Sequence, residues 1–378
     1  ISRLLGKGRE DEARRVSVFS IYLAVLVAAL FAAGTGIFME PLLGLLGAGE
    51  NTYRFARQYA SCVIVIGGIP TVLSNVLANL IRSIGRSKEA GTGIVLGGVL
   101  NIILDPLFMF VLLPDGYEVL GAGIATALSN CIACLYFFGV LFRMGKGSVI
   151  TFNPTVGRAS RESVIAVFAV GVPSAVATLL FDLDYVVIDK LMVSYHDLAL
   201  AAIGIVLKVE RFPLNVGIGI CQGMLPLVAY NYASGNWKRM KAIIRLARGV
   251  GLAVAAASIL LYELFTTQFI RIFISDAQTI ALASDFLRVR VLATPLMFLS
   301  FFTVYLFQSF GKGRVSLFLG VTRWMVFNIP MLFLLNYIFG MYGIVWSQVT
   351  ADILTVLLSF YVYWRFGPKE KGGHYASF

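Results

Sequence analysis

Ionisable side chains stand inside long apolar stretches of this sequence: Asp105, Asp182, Asp184, Lys208, Glu210, Arg211, Arg288, Arg290 and Asp352. Charges in such surroundings are costly and point to ion transfer or a transport pathway. The chemistry open to them is proton or ion exchange. A carboxylate held near a cation stays ionised, and one that loses its cation in apolar surroundings takes a proton. Opposite charges on neighbouring helices serve equally well as a structural lock. Other chemistries lack their residues. His196 and His374 are the only histidines and lie far apart, so neither a metal site nor a catalytic dyad is expected. Cys131 and Cys134 have redox-motif spacing, but they and Cys62 and Cys221 sit in apolar runs and read as packing residues. Gly6-Lys7-Gly8 lacks the spacing and the preceding strand of a phosphate-binding loop. The sequence predicts no enzyme, no catalytic residue and no cofactor.

The elements that must hold these charges are membrane helices. The chain has 378 residues, of which 58% are hydrophobic and 13% charged, with a mean hydropathy of +0.84. A soluble domain carries about 25% charged residues, so this surface must face lipid, and a soluble enzyme or nucleic-acid-binding module is excluded. Runs long enough to cross a bilayer cover roughly 16–38, 57–81, 92–113, 121–142, 163–189, 199–232, 242–265, 286–309, 315–337 and 341–364. Period-2 alternation is absent, so these are ten helices rather than barrel strands. The connections 1–15, 82–91, 143–161, 236–248, 311–314 and 365–378 carry 22 of the 31 basic residues behind the net charge of +11. By the positive-inside rule that side is cytoplasmic. The expectation is a multi-pass cell-membrane protein with both visible ends in the cytoplasm and Gly116 outside.

The chain also repeats itself at a shift of about 220–227 residues. Ile69-Pro70 answers Thr294-Pro295, and Gly85-Arg86 answers Gly311-Lys312. Asp105-Pro106 answers Ile329-Pro330, Gly123-Ile124-Ala125 answers Gly343-Ile344-Val345, and Gly8 answers Gly235. Each pair falls on the same side of the membrane, which makes the repeats parallel. Two spans precede Gly235 in the second unit and none precedes Gly8 in the first. The reading is therefore a six-plus-six protein showing ten of twelve spans, with the chain, which opens at Ile1, a piece of a longer one. Its parts are an N-terminal lobe at 1–143, a cytoplasmic linker at 144–161 and a C-terminal lobe at 162–378.

Asn101-Ile102-Ile103-Leu104-Asp105-Pro106-Leu107-Phe108, followed by Gly121-Ala122-Gly123-Ile124-Ala125-Thr126-Ala127, resembles the fifth-to-sixth helix signature of MATE transporters, the multidrug and toxic compound extrusion family. Gly171-Val172-Pro173-Ser174 resembles the family's seventh helix. Ala201 to Pro213, with Gln222-Gly223 and Pro226 to Tyr232, resembles its eighth. The similarity runs the length of the chain. It implies an all-α membrane bundle of two lobes, alternating access, and export of organic cations or drugs driven by a proton or sodium gradient. It also implies a relation to flippases of lipid-linked precursors, the alternative reading. In the sodium-coupled branch acids on the seventh and tenth helices hold the ion. Here Asp182 lies on the former, while the latter offers only Asp285 at its rim beside Arg288 and Arg290. In the proton-coupled branch a first-helix Asp is central, and that helix is not visible.

Depth then sorts the candidates. At 1.5 Å per residue, Asp182 and Asp184 lie roughly 8–11 Å from the outer end of their span, and Lys208, Glu210 and Arg211 roughly 14–18 Å deep in the next. All can gather in the outer half of the second lobe with Arg288 and Arg290. Asp182 and Asp184 stand about 200° apart on a helix, so both cannot face one cavity. Asp182, the deeper, is the favoured coupling acid, and Asp182→Asn is expected to abolish export without unfolding the protein. Asp105, beside Pro106, is either a coupling acid or a cap for the interrupted helix. Asn75, Asn79 and Asn101 are candidates for interhelical hydrogen bonds. Asp352 shows no evident partner in sequence and reads either as a pathway residue or as one end of an interhelical hydrogen bond. Phe181, Tyr185, Phe212, Phe298, Phe302 and Tyr305 lie near the charged layer, and such faces can hold an organic cation. Pro70, Pro173, Pro213 and Pro295 are candidate bending points. The expected partners are a small cationic substrate and membrane lipid, with no nucleic acid, and the protein is read as a monomer.

Overall fold

The computed structural model describes residues 1–145 and 147–368, and every regular element among them is helical. The chain divides into two compact units, Ile1–Ser163 and the residues from Val164 onward.

The first unit holds α1 (Ser2–Gly6), α2 (Glu10–Ile37), α3 (Met39–Leu45), α4 (Glu50–Ala60), α5 (Gly68–Ser83), α6 (Ser87–Leu107) and α7 (Glu118–Met144). The second holds nearly all of α8 (Arg161–Val193), then α9 (Asp197–Ala233), α10 (Trp237–Arg271), α11 (Ala277–Val291), α12 (Thr294–Ser309), α13 (Gly313–Val321), α14 (Ile329–Phe339) and α15 (Met341–Phe366). Eight helices are long and apolar enough to cross a membrane, or ten when two bent pairs each count as one span. Their outer faces carry large apolar side chains such as Leu30, Phe142 and Tyr337, which are 64%, 89% and 90% exposed. Lipid is the solvent that makes such exposure stable.

The bends fall where the repeat places them. The pair Glu50–Ile66 with α5 turns by 50° ahead of Pro70, and α11 with α12 turns by 47° ahead of Pro295. Proline removes a backbone donor and crowds the preceding turn. In the first unit the chain adapts with a wide π-helical stretch, Ser61–Ile66, in which the Gly67 N–H reaches five residues back to the Cys62 carbonyl at 2.8 Å. Further π-helical stretches, Phe108–Leu112 and Thr322–Asn328, lie beside Pro106 and Pro330, again a repeat-related pair. By contrast α8 and α9 stay continuous through Pro173 and Pro213. Gly8 and Gly235 both take positive φ (+69° and +74°), as do Gly85 and Gly311 (+89° and +75°). An L side chain resists that conformation, which explains why these glycines mark the repeat.

Most helices begin earlier than their apolar runs predict, above all α11, at Ala277 rather than near 286, and α4, at Glu50 rather than near 57. Both openings carry polar residues, among them Glu50 and Arg54 on α4 and Gln278, Thr279 and Ser284 on α11, so a hydropathy window passes over them. Residues 147–160, part of the expected 144–161 linker, lie along α2. Ser17 Oγ donates to the Val149 carbonyl at 3.1 Å, Arg15 Nε donates to the Val156 carbonyl at 3.3 Å, and Glu12 accepts from the Ser160 N–H at 2.8 Å.

Within the second unit α9 is the central helix. Ile203, Val206 and Leu207 pack with Ile188, Met192, Phe286, Leu287 and Ile344 at one end, and Cys221 and Met224 with Met240, Phe302 and Phe307 at the other.

Candidate functional site

The second unit buries a set of charged side chains drawn from five elements. α8 supplies Asp184, α9 Glu210, α11 Arg290, the Thr322–Asn328 stretch Arg323 and Asn328, and α15 Gln348 and Asp352. Asp352 is 0% exposed, and Asp184, Arg290 and Arg323 are each 3% exposed.

Helix geometry decides who faces inward. On α8 the buried stripe runs Asp184, Ile188, Met192, each four residues on from the last and so on one face. On α9 Glu210 lies in line with Val206 and Ala202, all buried. The neighbouring turn is anchored by Tyr262, whose hydroxyl donates to the Val209 carbonyl at 2.9 Å.

Two ion pairs form the frame. Arg290 donates from Nε to Glu210 Oε2 at 2.7 Å and from Nη2 to Oε1 at 2.8 Å, the bidentate fork that a guanidinium is shaped for. Arg323 Nη2 lies 2.8 Å from Asp352 Oδ1, and Gln348, one turn earlier on α15, donates to Asp352 Oδ2 at 2.6 Å. The Arg323 guanidinium also sits over the rings of Phe301 and Trp324, at 4.6 and 4.5 Å. Phe181 meets both of those rings edge-on. Asp184 completes the set, accepting a hydrogen bond from the Asn328 amide within the electrostatic reach of Arg290, Arg323 and Glu210.

The charges do not cancel. Three carboxylates meet two guanidiniums, and the one left without a cation of its own is Asp184. Arg290 Nη1, Arg323 Nε and Asn328 Oδ1 are buried and make no hydrogen bond. Beside Arg290 lies a cavity of about 20 Å³ lined by Glu210, Arg290, Gln348, Phe298 and Phe301, among others, enough for about one water molecule.

The residues singled out in the sequence divide between this cluster and other places. Asp184 and Glu210 are in it. So is Asp352, whose missing partner is Arg323. Asp182, favoured over Asp184 on depth, is exposed. The 200° separation does place one acid in and one out, but the buried Ile188 and Met192 stripe, rather than depth, selects Asp184. Lys208 and Arg211 are exposed on the side of α9 away from Glu210, so they do not join the cluster as expected. Arg288 is exposed, with Glu263 at 3.8 Å.

Among the aromatics, Tyr185 lies beneath the Arg211 guanidinium at 4.6 Å and meets Phe181 edge-on. Phe212 is 71% exposed. Phe298 lines the small cavity and also packs in the core, where its ring fills the gap over Gly251 and a Cβ would come within 1.8 Å of it. Phe302 is fully buried and Tyr305 half-buried in the same core. Asp105, in the first unit, accepts from Asn101 Nδ2 at 3.0 Å, and Asn101 also reaches Thr126 on α7 at 3.4 Å. The expected Asn75 and Asn79 contacts across helices are instead made along α5, to the carbonyls of Thr71 and Asn75.

Sequence reasoning missed Arg323, Asn328 and Gln348. Arg323 had a signal, since it is a lone cation in the apolar run 315–337 and falls under the same rule as the other intramembrane charges. Asn328 and Gln348 are neutral and had none.

Bent spans at repeat-related positions and a buried charge cluster within the second unit are features of membrane transporters. The family model MatE matches residues 1–107 and 173–334, and the chain belongs to that family. Multidrug export protein MepA of Staphylococcus saprophyticus is 32% identical over 361 residues, covering 94% of this chain and 77% of that protein. An outward-facing multidrug resistance MATE family transporter of the MOP superfamily superposes with a TM-score of 0.88 at 21% identity, covering 95% of this chain and 80% of that one. The Vibrio cholerae MATE transporter VcmN in its bent form gives 0.84 at 21% identity, over 96% and 81%.

Proposed function

We propose that this protein is a secondary antiporter that exports drug-like organic cations across the cell membrane by alternating access, and that an inward flow of protons drives it through Asp184. The observation that carries the reading is the charge imbalance of the buried cluster, three carboxylates against two guanidiniums. A buried charge without a counter-ion is expensive, so Asp184 is stable when it holds a proton and unstable when it does not. Its two states therefore differ in how they bear on the packing of α8 against the Thr322–Asn328 stretch, which is what a gradient-driven conformational change requires.

A proton fits better than sodium. Metal ions of this kind bind several oxygen ligands, whereas Arg290 and Arg323 present N–H donors and positive charge towards the same space. Substrate export is supported by the relatives named multidrug export protein. The basic connections support an orientation with both ends in the cytoplasm; the last residues, Gly372 among them, lie outside the described residues.

The test is ion replacement in proteoliposomes bearing the full-length protein. Dye export should follow an imposed pH gradient in sodium-free buffer and collapse when the gradient is dissipated. Export that needs a sodium gradient and ignores pH would refute proton coupling.

A further inference from the structure

The corner between α10 and α11, on the side opposite the basic connections, holds a pocket separate from the charge cluster. Its volume is about 710 Å³, within the ~300–1,000 Å³ range of small-molecule sites. Thr267 and Arg271 of α10 form one wall, Ser284, Asp285 and Arg288 of α11 the other, and Ser275 lies in the connection between them. The apolar run of α10 ends near 265, so Thr267 and Arg271 lie at most roughly 3 and 9 Å beyond it. The run that α11 enters begins near 286, which puts Ser284 and Asp285 within roughly 3 Å of the same boundary. Headgroups add about 5–8 Å to each side of the hydrocarbon core, so the pocket opens at headgroup depth. Below it the surface is apolar. Leu264 and Leu260, one and two turns before Thr267, are 72% and 65% exposed, and Leu292, one turn past Arg288, is 44% exposed. An apolar slope of this kind marks contact with membrane, and where it leads into a polar pocket it has the outline of a phospholipid.

The charges of the pocket narrow the headgroup. Arg271 and Asp285 are exposed, and neither makes an ion pair or side-chain hydrogen bond with another described residue. Arg288 lies 3.8 Å from Glu263, too far for a hydrogen bond, so its N–H groups are open to a ligand while the acid offsets its charge. Guanidiniums take a phosphate through forked hydrogen bonds, and basic pockets between membrane helices hold lipid headgroups. What remains after Glu263 is counted against Arg288 is one cation, Arg271, and one anion, Asp285. A headgroup with a phosphate and no amine satisfies the first and is repelled by the second. A headgroup with both groups satisfies the pair. We propose that this pocket binds the headgroup of an ethanolamine phospholipid, with its phosphate on Arg271 and Arg288 and its ammonium on Asp285. Seated there, the lipid bridges α10 and α11.

Native mass spectrometry of the full-length protein reads lipid binding directly and needs no export. The protein is delipidated in detergent and titrated with phosphatidylethanolamine or phosphatidylglycerol of the same acyl chains. Wild type should bind the ethanolamine lipid at least fivefold more tightly than the glycerol lipid. Arg271→Gln should weaken the ethanolamine lipid at least fivefold. Asp285→Asn should weaken it several-fold while leaving the glycerol lipid unchanged or tighter, so that the preference disappears. Both positions are exposed, so both variants should melt as wild type does, and if one does not, the other carries the test. Soluble O-phosphoethanolamine separates a lipid from a free headgroup, and it should displace the lipid only at roughly a hundredfold higher concentration. Equal or better binding of the glycerol lipid by wild type overturns the inference. So does ethanolamine-lipid binding that either folded variant leaves unchanged, equal weakening of both lipids by Asp285→Asn, or O-phosphoethanolamine binding as tightly as the lipid.

Discussion

Arg290 and Arg323 decide what each acid in the cluster can do. Glu210 and Asp352 each neutralise a guanidinium at hydrogen-bonding distance, so removing either acid strands a buried cation. Such a loss costs about 3–5 kcal/mol. Glu210→Gln should therefore lower expression and the detergent melting temperature sharply, and Asp352→Asn likewise. Asp184→Asn removes no cation's partner and keeps the hydrogen-bonding shape, so its melting temperature should stay near wild type. Equal melting losses for all three variants would mean that Asp184 is a third lock. Much of this was legible in sequence: intramembrane charges are conspicuous, and Asp184, Glu210, Arg290 and Asp352 all declared themselves. Their pairing was not. Depth along a helix is readable from residue number, but the inward face depends on which neighbour packs there, and that took Asp184 in and left Asp182 out.

At the level of elements, the breaks in the helices carry the design. Pro70, Pro106, Pro295 and Pro330 were visible as repeat-related positions, and the structure bends or widens at each of them. The π-helical form itself was not legible, because no residue type demands it. In the Thr322–Asn328 stretch it carries both Arg323 and Asn328, the two residues that meet Asp352 and Asp184. The close α14–α15 hairpin is equally dependent on one residue. A Cβ at Gly343 would lie 1.9 Å from the Leu335 carbonyl oxygen, and backbone cannot step aside as a side chain can. Gly343→Ala should destabilise the second unit by about 1–3 kcal/mol, read as a lower melting temperature, and a wild-type melt would contradict the packing. On the opposite side from the basic connections, Asp276 caps α11, accepting from the Thr279 N–H at 2.8 Å and its hydroxyl at 2.7 Å. These bonds hold its carboxyl below the usual carboxylate range. A depressed folded-state value means that the cap's contribution is present above the unfolded value and fades as pH falls through the folded one. The melting difference between wild type and Asp276→Ala should shrink accordingly on acidification below pH 4. A difference that persists there would show that the carboxylate is not what caps the helix.

For the molecule as a whole, the apolar spans and the basic connections predict a topology that can be checked directly. With Cys62, Cys131, Cys134 and Cys221 replaced, a cysteine at Gly116 should react with an impermeant reagent on intact cells and one at Gly145 only after permeabilisation. Both are turn glycines with positive φ, and the reverse labelling would overturn the orientation. The fold class was legible because lipid imposes length and composition on every crossing helix, while the polar openings of α4 and α11 escaped that rule. Among the described residues the spans number eight, or ten with each bent pair as one. The central claim remains that one buried carboxylate converts a proton gradient into export. Its most direct test is gradient-driven dye export by full-length Asp184→Asn and Asp182→Asn in proteoliposomes, each checked for reconstitution level and melting temperature. The account predicts that Asp184→Asn folds but loses gradient-driven export at least tenfold, while Asp182→Asn still responds to the imposed pH gradient. Wild-type export by a stable Asp184→Asn protein would contradict it.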